Sequence, residues 1–144
     1  MFKKIISFIS KYALYLAFIQ AWLAVLGSLY YSEIQKLPPC LLCWYQRIFM
    51  YPLAVIFAVA IIRRDKNVPY YALPLSIIGA LIALYHYIIQ MTTLSNALTC
   101  TATEPCELIQ VSLFGFITIP LLSFLGFLFI SILMAIMVKY PIKK

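Results

Sequence analysis

Residues 40–62 have the sequence CLLCWYQRIFMYPLAVIFAVAII, in which a Cys-x-x-Cys pair opens a long apolar run. Arg47 is the one charged side chain in this stretch. From Trp44 to Ile62 the run has close to the roughly 20 apolar residues that a helix needs to cross a bilayer core of about 30 Å. The stretch therefore predicts a transmembrane helix with two cysteines just ahead of it.

The composition of the whole chain extends this prediction. Of the 144 residues, 65% are hydrophobic and only 10% are charged, and the mean hydropathy is +1.01, which lies outside the usual balance of a soluble domain. The predicted spans are Tyr12 to Tyr31, Trp44 to Ile62, Tyr70 to Gln90 and Ile117 to Val138. Backbone groups in hydrocarbon must be hydrogen-bonded internally, and these runs are too long for barrel strands. We predict one all-α membrane domain over residues 1–144, a four-helix bundle.

The distribution of charge predicts the orientation of this bundle. Nine of the eleven basic residues lie before the first span, between the second and third, or after the fourth: Lys3, Lys4, Lys11, Arg63, Arg64, Lys66, Lys139, Lys143 and Lys144. Because cytoplasmic segments carry the excess of Lys and Arg, both termini are expected in the cytoplasm. The net charge of +7 thus indicates topology and contact with the lipid bilayer, and no nucleic-acid binding is expected.

The positively charged N-terminus followed by an apolar run also has to be compared with a secretory signal peptide. The run from Tyr12 is longer than the apolar region of such a peptide, and no small-residue cleavage pattern follows it. The first apolar segment is therefore expected to be an uncleaved span.

With this orientation, all four cysteines fall in extracytoplasmic loops: Cys40 and Cys43 in residues 32–43, Cys100 and Cys106 in residues 91–116. Disulfides persist in that compartment. Redox chemistry competes with structural disulfides, a four-cysteine zinc site and inert thiols. A disulfide within either pair would close only a short ring, which stabilises a fold by only about 2 kcal/mol. The gap between Cys100 and Cys106 is looser than in usual zinc knuckles. Two redox-active dithiols are the favoured interpretation.

Three polar residues near the predicted outer interface are candidate ligands. Arg47 lies four residues after Cys43, so the two share a helix face, and the guanidinium can stabilise a thiolate at the helix start or a reduced oxygen nearby. The alternative is an arginine that extends to the lipid headgroups. His86 and Gln90 repeat this spacing on the third span and can hydrogen-bond a carbonyl-bearing ligand. The alternative for His86 is a hydrogen-bonded interfacial residue.

These features together resemble the disulfide-bond-formation protein B family. The resemblance covers essentially the whole chain: four spans, Pro-Cys-x-x-Cys-Trp-Tyr-Gln-Arg before the second of them, and a cysteine pair between the third and fourth. It implies a quinone-dependent thiol oxidase of the bacterial cytoplasmic membrane. Such an enzyme re-oxidises a thioredoxin-like partner on the extracytoplasmic side and passes the electrons to a membrane quinone, ubiquinone or menaquinone.

The resemblance also implies roles for individual residues. Cys40 and Cys43 would be the quinone-coupled pair, with the Cys43 thiolate at the quinone ring and Arg47 beside it. Cys100 would be attacked by the partner's thiolate, and Cys106 would exchange with Cys40. His86 and Gln90 match the family's polar pair on the third span, which completes the predicted quinone site.

The spacing of the second cysteine pair departs from the best-known proteobacterial pattern. Only five residues separate Cys100 from Cys106, which is more similar to the short Gram-positive-type members. In the related vitamin K epoxide reductase fold the loop pair precedes the Cys-x-x-Cys, so the order here disfavours that assignment.

Two rival functions compete with this interpretation. A proton-coupled exporter needs a carboxylate or similar charge inside the membrane, yet none of the four acidic residues lies mid-span. A zinc-bearing, non-enzymatic membrane assembly factor remains the alternative function. The segment Leu108 to Phe114 is too short to span and is a candidate for lying along the outer surface.

Overall fold

The computed structural model describes residues 2–92, 112–113 and 117–141. Its helices are α1 (Phe2–Leu29), α2 (Leu41–Arg63), α3 (Val68–Met91) and α4 (Ile119–Lys139), and a π-helical turn, Tyr30–Ile34, extends α1. Two short strands, β1 (Ser112–Leu113) and β2 (Ile117–Thr118), pair antiparallel ahead of α4. All four helices are long and apolar enough to cross a membrane, which confirms the predicted all-α membrane fold. Apart from β1, the segment Leu108 to Phe114 lies outside the described residues.

The start of α2 is set by the residues that precede it. Pro38 and Pro39 have fixed φ angles and disfavour helical backbone before them. Cys40 is extended (φ −69°, ψ 168°) and acts as the N-cap residue, and its carbonyl accepts the Trp44 N–H at 3.1 Å. The helix therefore begins at Leu41, three residues before the predicted span. This start places Cys43 within the first turn of α2.

A tight turn joins α2 to α3 and makes them antiparallel neighbours. Arg64 has left-handed backbone (φ 53°), and its N–H donates to the carbonyls of the last turn of α2. The Asp65 carboxylate accepts hydrogen bonds from the Tyr71 hydroxyl and the Asn67 N–H, which hold the pKa of Asp65 below its usual range. Pro69 lies in the first turn of α3, where a missing N–H is harmless.

Small residues allow the helices to pack closely. Ala13, Ala17 and Ala21, spaced one turn apart on α1, are fully buried. On α3, Gly79 lies under the ring of Phe127 from α4. Close approach of this kind is how membrane helices gain packing energy without a hydrophobic driving force. Towards the Cys40 end of the bundle, α1, α2 and α4 separate enough to leave a cavity.

Candidate active site

The first two cysteines lie side by side, each as a thiol. The Cys40 and Cys43 sulfurs are 3.1 Å apart, and Cys40 donates a hydrogen bond to Cys43. The geometry follows from the helix start, because the N-cap residue and the residue three positions later face the same side. Cys40 is buried and Cys43 is partly exposed. A small movement of either sulfur would allow a disulfide to form.

The environment of Cys40 stabilises its protonated form. The hydrogen bond with Cys43, together with burial, raises the pKa of the Cys40 thiol to about 12, while a hydrogen bond from His86 acts in the opposite direction. In a singly deprotonated pair, the Cys40 thiol would donate its hydrogen bond to a thiolate on Cys43. The first turn of α2 has free N–H groups and the positive end of the helix dipole, which favour an anion there.

His86 lies on the other side of Cys40 and is itself held in place. Its Nε2 is 3.7 Å from the Cys40 sulfur, and its Nδ1 is 3.0 Å from the Gln46 side-chain nitrogen. His86 is 1% exposed and Gln46 is 5% exposed, so both lie away from solvent. The imidazole therefore contacts the dithiol through Cys40.

Arg47 is directed towards α1. Its Nε donates to the Ser28 hydroxyl at 2.7 Å, and its Nη2 donates to the Ser28 carbonyl at 3.1 Å. The guanidinium also lies over the Trp44 ring, 5.5 Å from the ring centroid. Two hydrogen bonds and a cation–π contact fix the orientation of the guanidinium. The Arg47 side chain therefore contacts α1 within the bundle and does not extend to the lipid headgroups.

A cavity of about 400 Å³ lies between α1, α2 and α4. Cys43 and Arg47 line it near the start of α2, and Gln20, Tyr51 and Phe127 line its deeper part. Tyr51 follows Cys43 by eight residues, which corresponds to about 12 Å along the helix. The cavity therefore extends from the dithiol well into the membrane-spanning part of the bundle.

The sequence matches a known protein family. Residues 10–137 match the family described as "Disulfide bond formation protein DsbB". The chain belongs to this family. Membership implies thiol-disulfide oxidation at a membrane, and the four apolar helices make the chain a multi-pass membrane protein.

Individual relatives of the family are similar over most of their length. The "Probable disulfide formation protein C 1" of Bacillus anthracis is 45% identical over 130 residues, covering 90% of this chain and 94% of the relative. The "Disulfide bond formation protein C" of Bacillus subtilis is 46% identical over 125 residues, covering 86% and 91%. A "SPbeta prophage-derived disulfide bond formation protein B" of the same species is 44% identical over 108 residues, covering 75% and 73%. No solved structure matches this chain significantly.

The structure brings some of the predicted site residues of this family member together and separates others. Cys43 and Arg47 share the cavity wall, as their spacing predicts. His86 contacts Cys40, and Gln90 lies one turn further along α3; neither lines the cavity. Their predicted contact with a quinone stays a prediction. Cys100 and Cys106 lie outside the described residues.

Sequence reasoning missed four polar residues of this site: Gln20, Ser28, Gln46 and Tyr51. Polar side chains inside an apolar span are a usable signal, because each needs a partner there. Gln20 and Gln46 satisfy this criterion. Ser28 could not be selected from the sequence, because its contact with Arg47 joins α1 to α2 and depends on how these helices pack. Tyr51 could not be selected either, because tyrosine is common at membrane interfaces.

Two cysteine sulfurs and one imidazole nitrogen lie close enough together to be compared with the ligands of a zinc site. Cys40, Cys43 and His86 place their donor atoms within 4.8 Å of one another. Zn–S bonds of about 2.3 Å in a tetrahedron place two sulfurs about 3.8 Å apart. The observed sulfur separation of 3.1 Å lies between this value and the roughly 2.05 Å of a disulfide bond, so a small shift of either sulfur would serve either chemistry.

Proposed function

We propose that this chain is a quinone-dependent thiol oxidase, which re-oxidises a thioredoxin-like extracytoplasmic thiol oxidase and passes the electrons to a membrane quinone. One observation carries the proposal. Cys43, the hydrogen-bond acceptor of a preformed dithiol, opens on an intramembrane cavity beside a fixed guanidinium. Membership of the disulfide bond formation family supports the thiol half of the reaction.

The cavity fits a quinone by three criteria. Leu23 and Leu122 line it and are 60% and 47% exposed, so the cavity is accessible from outside the bundle to a lipid-dissolved molecule. Arg47 supplies donors for a carbonyl oxygen near Cys43. Deeper in the cavity, the Tyr51 hydroxyl is buried and has no hydrogen-bond partner among the described residues. A buried hydroxyl without a partner is costly, and an oxygen-bearing ligand would satisfy it.

The chain's own residues prepare the dithiol for oxidation. The Cys40 thiol donates to Cys43, so it would stabilise a nucleophilic thiolate on the sulfur that faces the cavity. Arg47 neutralises negative charge that develops beside Cys43, and the apolar walls exclude water. A bound quinone would accept two electrons and two protons as the dithiol becomes a disulfide.

The second dithiol completes the proposed relay. By the family resemblance, the partner's thiolate attacks Cys100, and Cys106 then exchanges with Cys40. Each exchange breaks one disulfide and forms another, so the two electrons move from partner to loop pair to the Cys40–Cys43 pair. Cys40 is buried at the start of α2, so the Cys106 sulfur would have to reach it there.

The proposal is tested with detergent-purified protein, a reduced thioredoxin-like thiol protein and a soluble quinone analogue. We expect one quinone to be reduced for each disulfide that forms in the thiol protein, because both are two-electron steps. A zinc analysis of the same sample tests the alternative function. Stoichiometric zinc without thiol-dependent quinone reduction would overturn the proposal in favour of the assembly factor.

Replacement of Arg47 is expected to weaken use of the quinone selectively. Arg47→Ala removes the fixed charge at the cavity wall, and a lost hydrogen bond to a charged group of about 1.5–3 kcal/mol corresponds to a roughly 10- to 100-fold higher KM for quinone. Arg47→Lys should give an intermediate value, since it keeps the charge and loses the planar fork. Steady-state kinetics at varied quinone concentration measure the effect.

The matched control is Arg63→Ala, at the opposite end of the same helix, where the arginine is exposed. It should leave the KM for quinone unchanged. In a single turnover without quinone, Arg47→Ala should still oxidise the thiol protein at the wild-type rate. An equal loss of both half-reactions would assign Arg47 a structural role only.

The proposed orientation predicts which reagents reach the cysteines. Both termini are expected in the cytoplasm and both dithiols outside it. The reason is that nine of the eleven basic residues lie near the two termini or at the connection between α2 and α3. After chemical reduction of intact cells, a membrane-impermeant maleimide should label cysteines of both pairs, as mapped by peptide mass spectrometry. Labelling of either pair only after the cells are broken would contradict this topology.

A further inference from the structure

A chain of buried hydrogen bonds runs from α2 through α3 to the reactive sulfur. Gln46 contacts His86 Nδ1 at 3.0 Å, His86 Nε2 contacts the Cys40 sulfur at 3.7 Å, and Cys40 donates to Cys43 at 3.1 Å. Gln46, His86 and Cys40 are 5%, 1% and 6% exposed, respectively. The two end members, Gln46 and Cys43, line the cavity, and the two middle members do not.

The direction of this chain follows from its first member. The Gln46 atom next to Nδ1 is the amide nitrogen, which donates and does not accept hydrogen bonds. Nδ1 is therefore the acceptor, and the neutral imidazole carries its hydrogen on Nε2, directed towards the Cys40 sulfur. Since Cys40 in turn donates to Cys43, every donor in the chain is oriented towards Cys43.

We propose that Gln46 is a positioning residue that fixes the tautomer of His86, so that a one-way chain of hydrogen-bond donors ends on the Cys43 sulfur. The proposal rests on the redox role of the Cys40–Cys43 pair and is independent of the identity of the acceptor. Hydrogen bonds aligned in one direction polarise one another, which strengthens the last bond when the Cys43 sulfur is a thiolate. It follows that His86 serves the dithiol, with its Nε2–H committed to Cys40.

A carboxylate at position 46 would reverse the donor direction of these hydrogen bonds. In Gln46→Glu, the ionised carboxylate can only accept, so Nδ1 would carry the hydrogen and donate it to the carboxylate, and Nε2 of the neutral ring would become an acceptor. Cys40 would then donate to His86 and no longer to Cys43. The substitution changes one amide to a carboxylate of the same shape, and it therefore tests direction separately from packing.

Nitrogen NMR of the imidazole reads the tautomer directly, because His86 is the one histidine of the chain. In the reduced wild-type protein with labelled histidine, we expect the Nε2–H form, and in Gln46→Glu the Nδ1–H form. Gln46→Met, which removes the hydrogen bond without a buried charge, should give a mixture of both. Gln35→Glu, the same change at an exposed site, should retain the wild-type signal.

Alkylation of Cys43 gives a second measurement on the same variants. Loss of the donor from Cys40 should slow modification of Cys43 about tenfold at neutral pH in Gln46→Glu, because a smaller fraction of this sulfur is then thiolate. Gln46→Met, which adds no charge to the cavity wall, should be slowed by a smaller factor. Peptide mapping separates Cys43 from the other cysteines. The other ionisable groups that line the cavity, Arg47, Tyr31 and Tyr51, are the same in all variants.

Either of two NMR results would overturn the proposal: an Nδ1–H histidine in the wild type, or an Nε2–H histidine as the sole form in both Gln46→Glu and Gln46→Met. An unchanged alkylation rate in Gln46→Glu would likewise reject the link to Cys43. Neither measurement uses a quinone or a thiol partner. A failure of quinone reduction therefore contradicts the proposed function without affecting the outcome for Gln46.

Discussion

Serine in place of Cys43 is expected to reduce thiol-dependent quinone reduction by a factor on the order of 10³ or more, close to the uncatalysed background. Cys43 is the member of the dithiol that lines the cavity, and its partner Cys40 is buried behind it. A serine hydroxyl cannot form a disulfide, so the electrons would have no route from Cys40 to the cavity. The stoichiometric quinone assay measures the loss.

Cys40→Ser is the matched variant, because it also removes the disulfide but leaves the sulfur at the cavity wall. Turnover should be lost in both variants. A quinone with an unsubstituted ring position adds covalently to thiolates, and peptide mass spectrometry should find this adduct on Cys43 in Cys40→Ser. In Cys43→Ser, the buried Cys40 should remain unmodified. Residual turnover in Cys43→Ser, or an adduct on Cys40, would refute the assignment of Cys43 as the sulfur that faces the acceptor.

The all-α membrane fold could be predicted from the sequence because the bilayer imposes length and composition on every span. The apolar run predicts a start of the second span at Trp44, whereas α2 begins at Leu41. Hydropathy sets where the apolar run begins, but the helix starts where Cys40 can act as the N-cap residue after two prolines. This difference of three residues brings Cys43 into the first turn, where the dipole favours a thiolate.

Within the site, the residues that could be predicted are those related by spacing along one helix. Cys43 and Arg47 are four residues apart on α2 and share the cavity wall. Contacts between helices could not be predicted in the same way, since they depend on how α2 packs against α1 and α3. Ser28 at Arg47 and His86 at Cys40 are both of this kind.

Gln46 shows why a highly specific motif can still hide a role. It lies between two residues whose chemistry is obvious, in the sequence Trp-Tyr-Gln-Arg. A neutral amide suggests no redox function by itself. Its contribution follows only from burial and from the orientation of its amide towards the imidazole ring, which are properties of the packed bundle.

Of the substitutions proposed for this protein, Gly79→Ala is expected to cause the largest loss of stability. A Cβ atom built there lies closer than 3.0 Å to three carbons of the Phe127 ring, which is fully buried and cannot turn away freely. Overpacking of a membrane core by one methyl group against a rigid ring should cost about 3 kcal/mol, at the upper end of the range for such substitutions. Unfolding in detergent with increasing mole fraction of dodecyl sulfate measures the change.

Gly27→Ala is the control for this prediction, because a Cβ at Gly27 has no neighbour within 4 Å, and it should cause no loss of stability. Gly79→Ala combined with Phe127→Leu should be less destabilised than the sum of the two single variants, since the smaller side chain removes the clash. Phe127 also lines the cavity, so a ring displaced by the added methyl group should occupy part of the acceptor's space. We therefore expect the folded fraction of Gly79→Ala to show a raised KM for quinone, and strictly additive stabilities with an unchanged KM would disprove the coupling between the α3–α4 contact and the cavity.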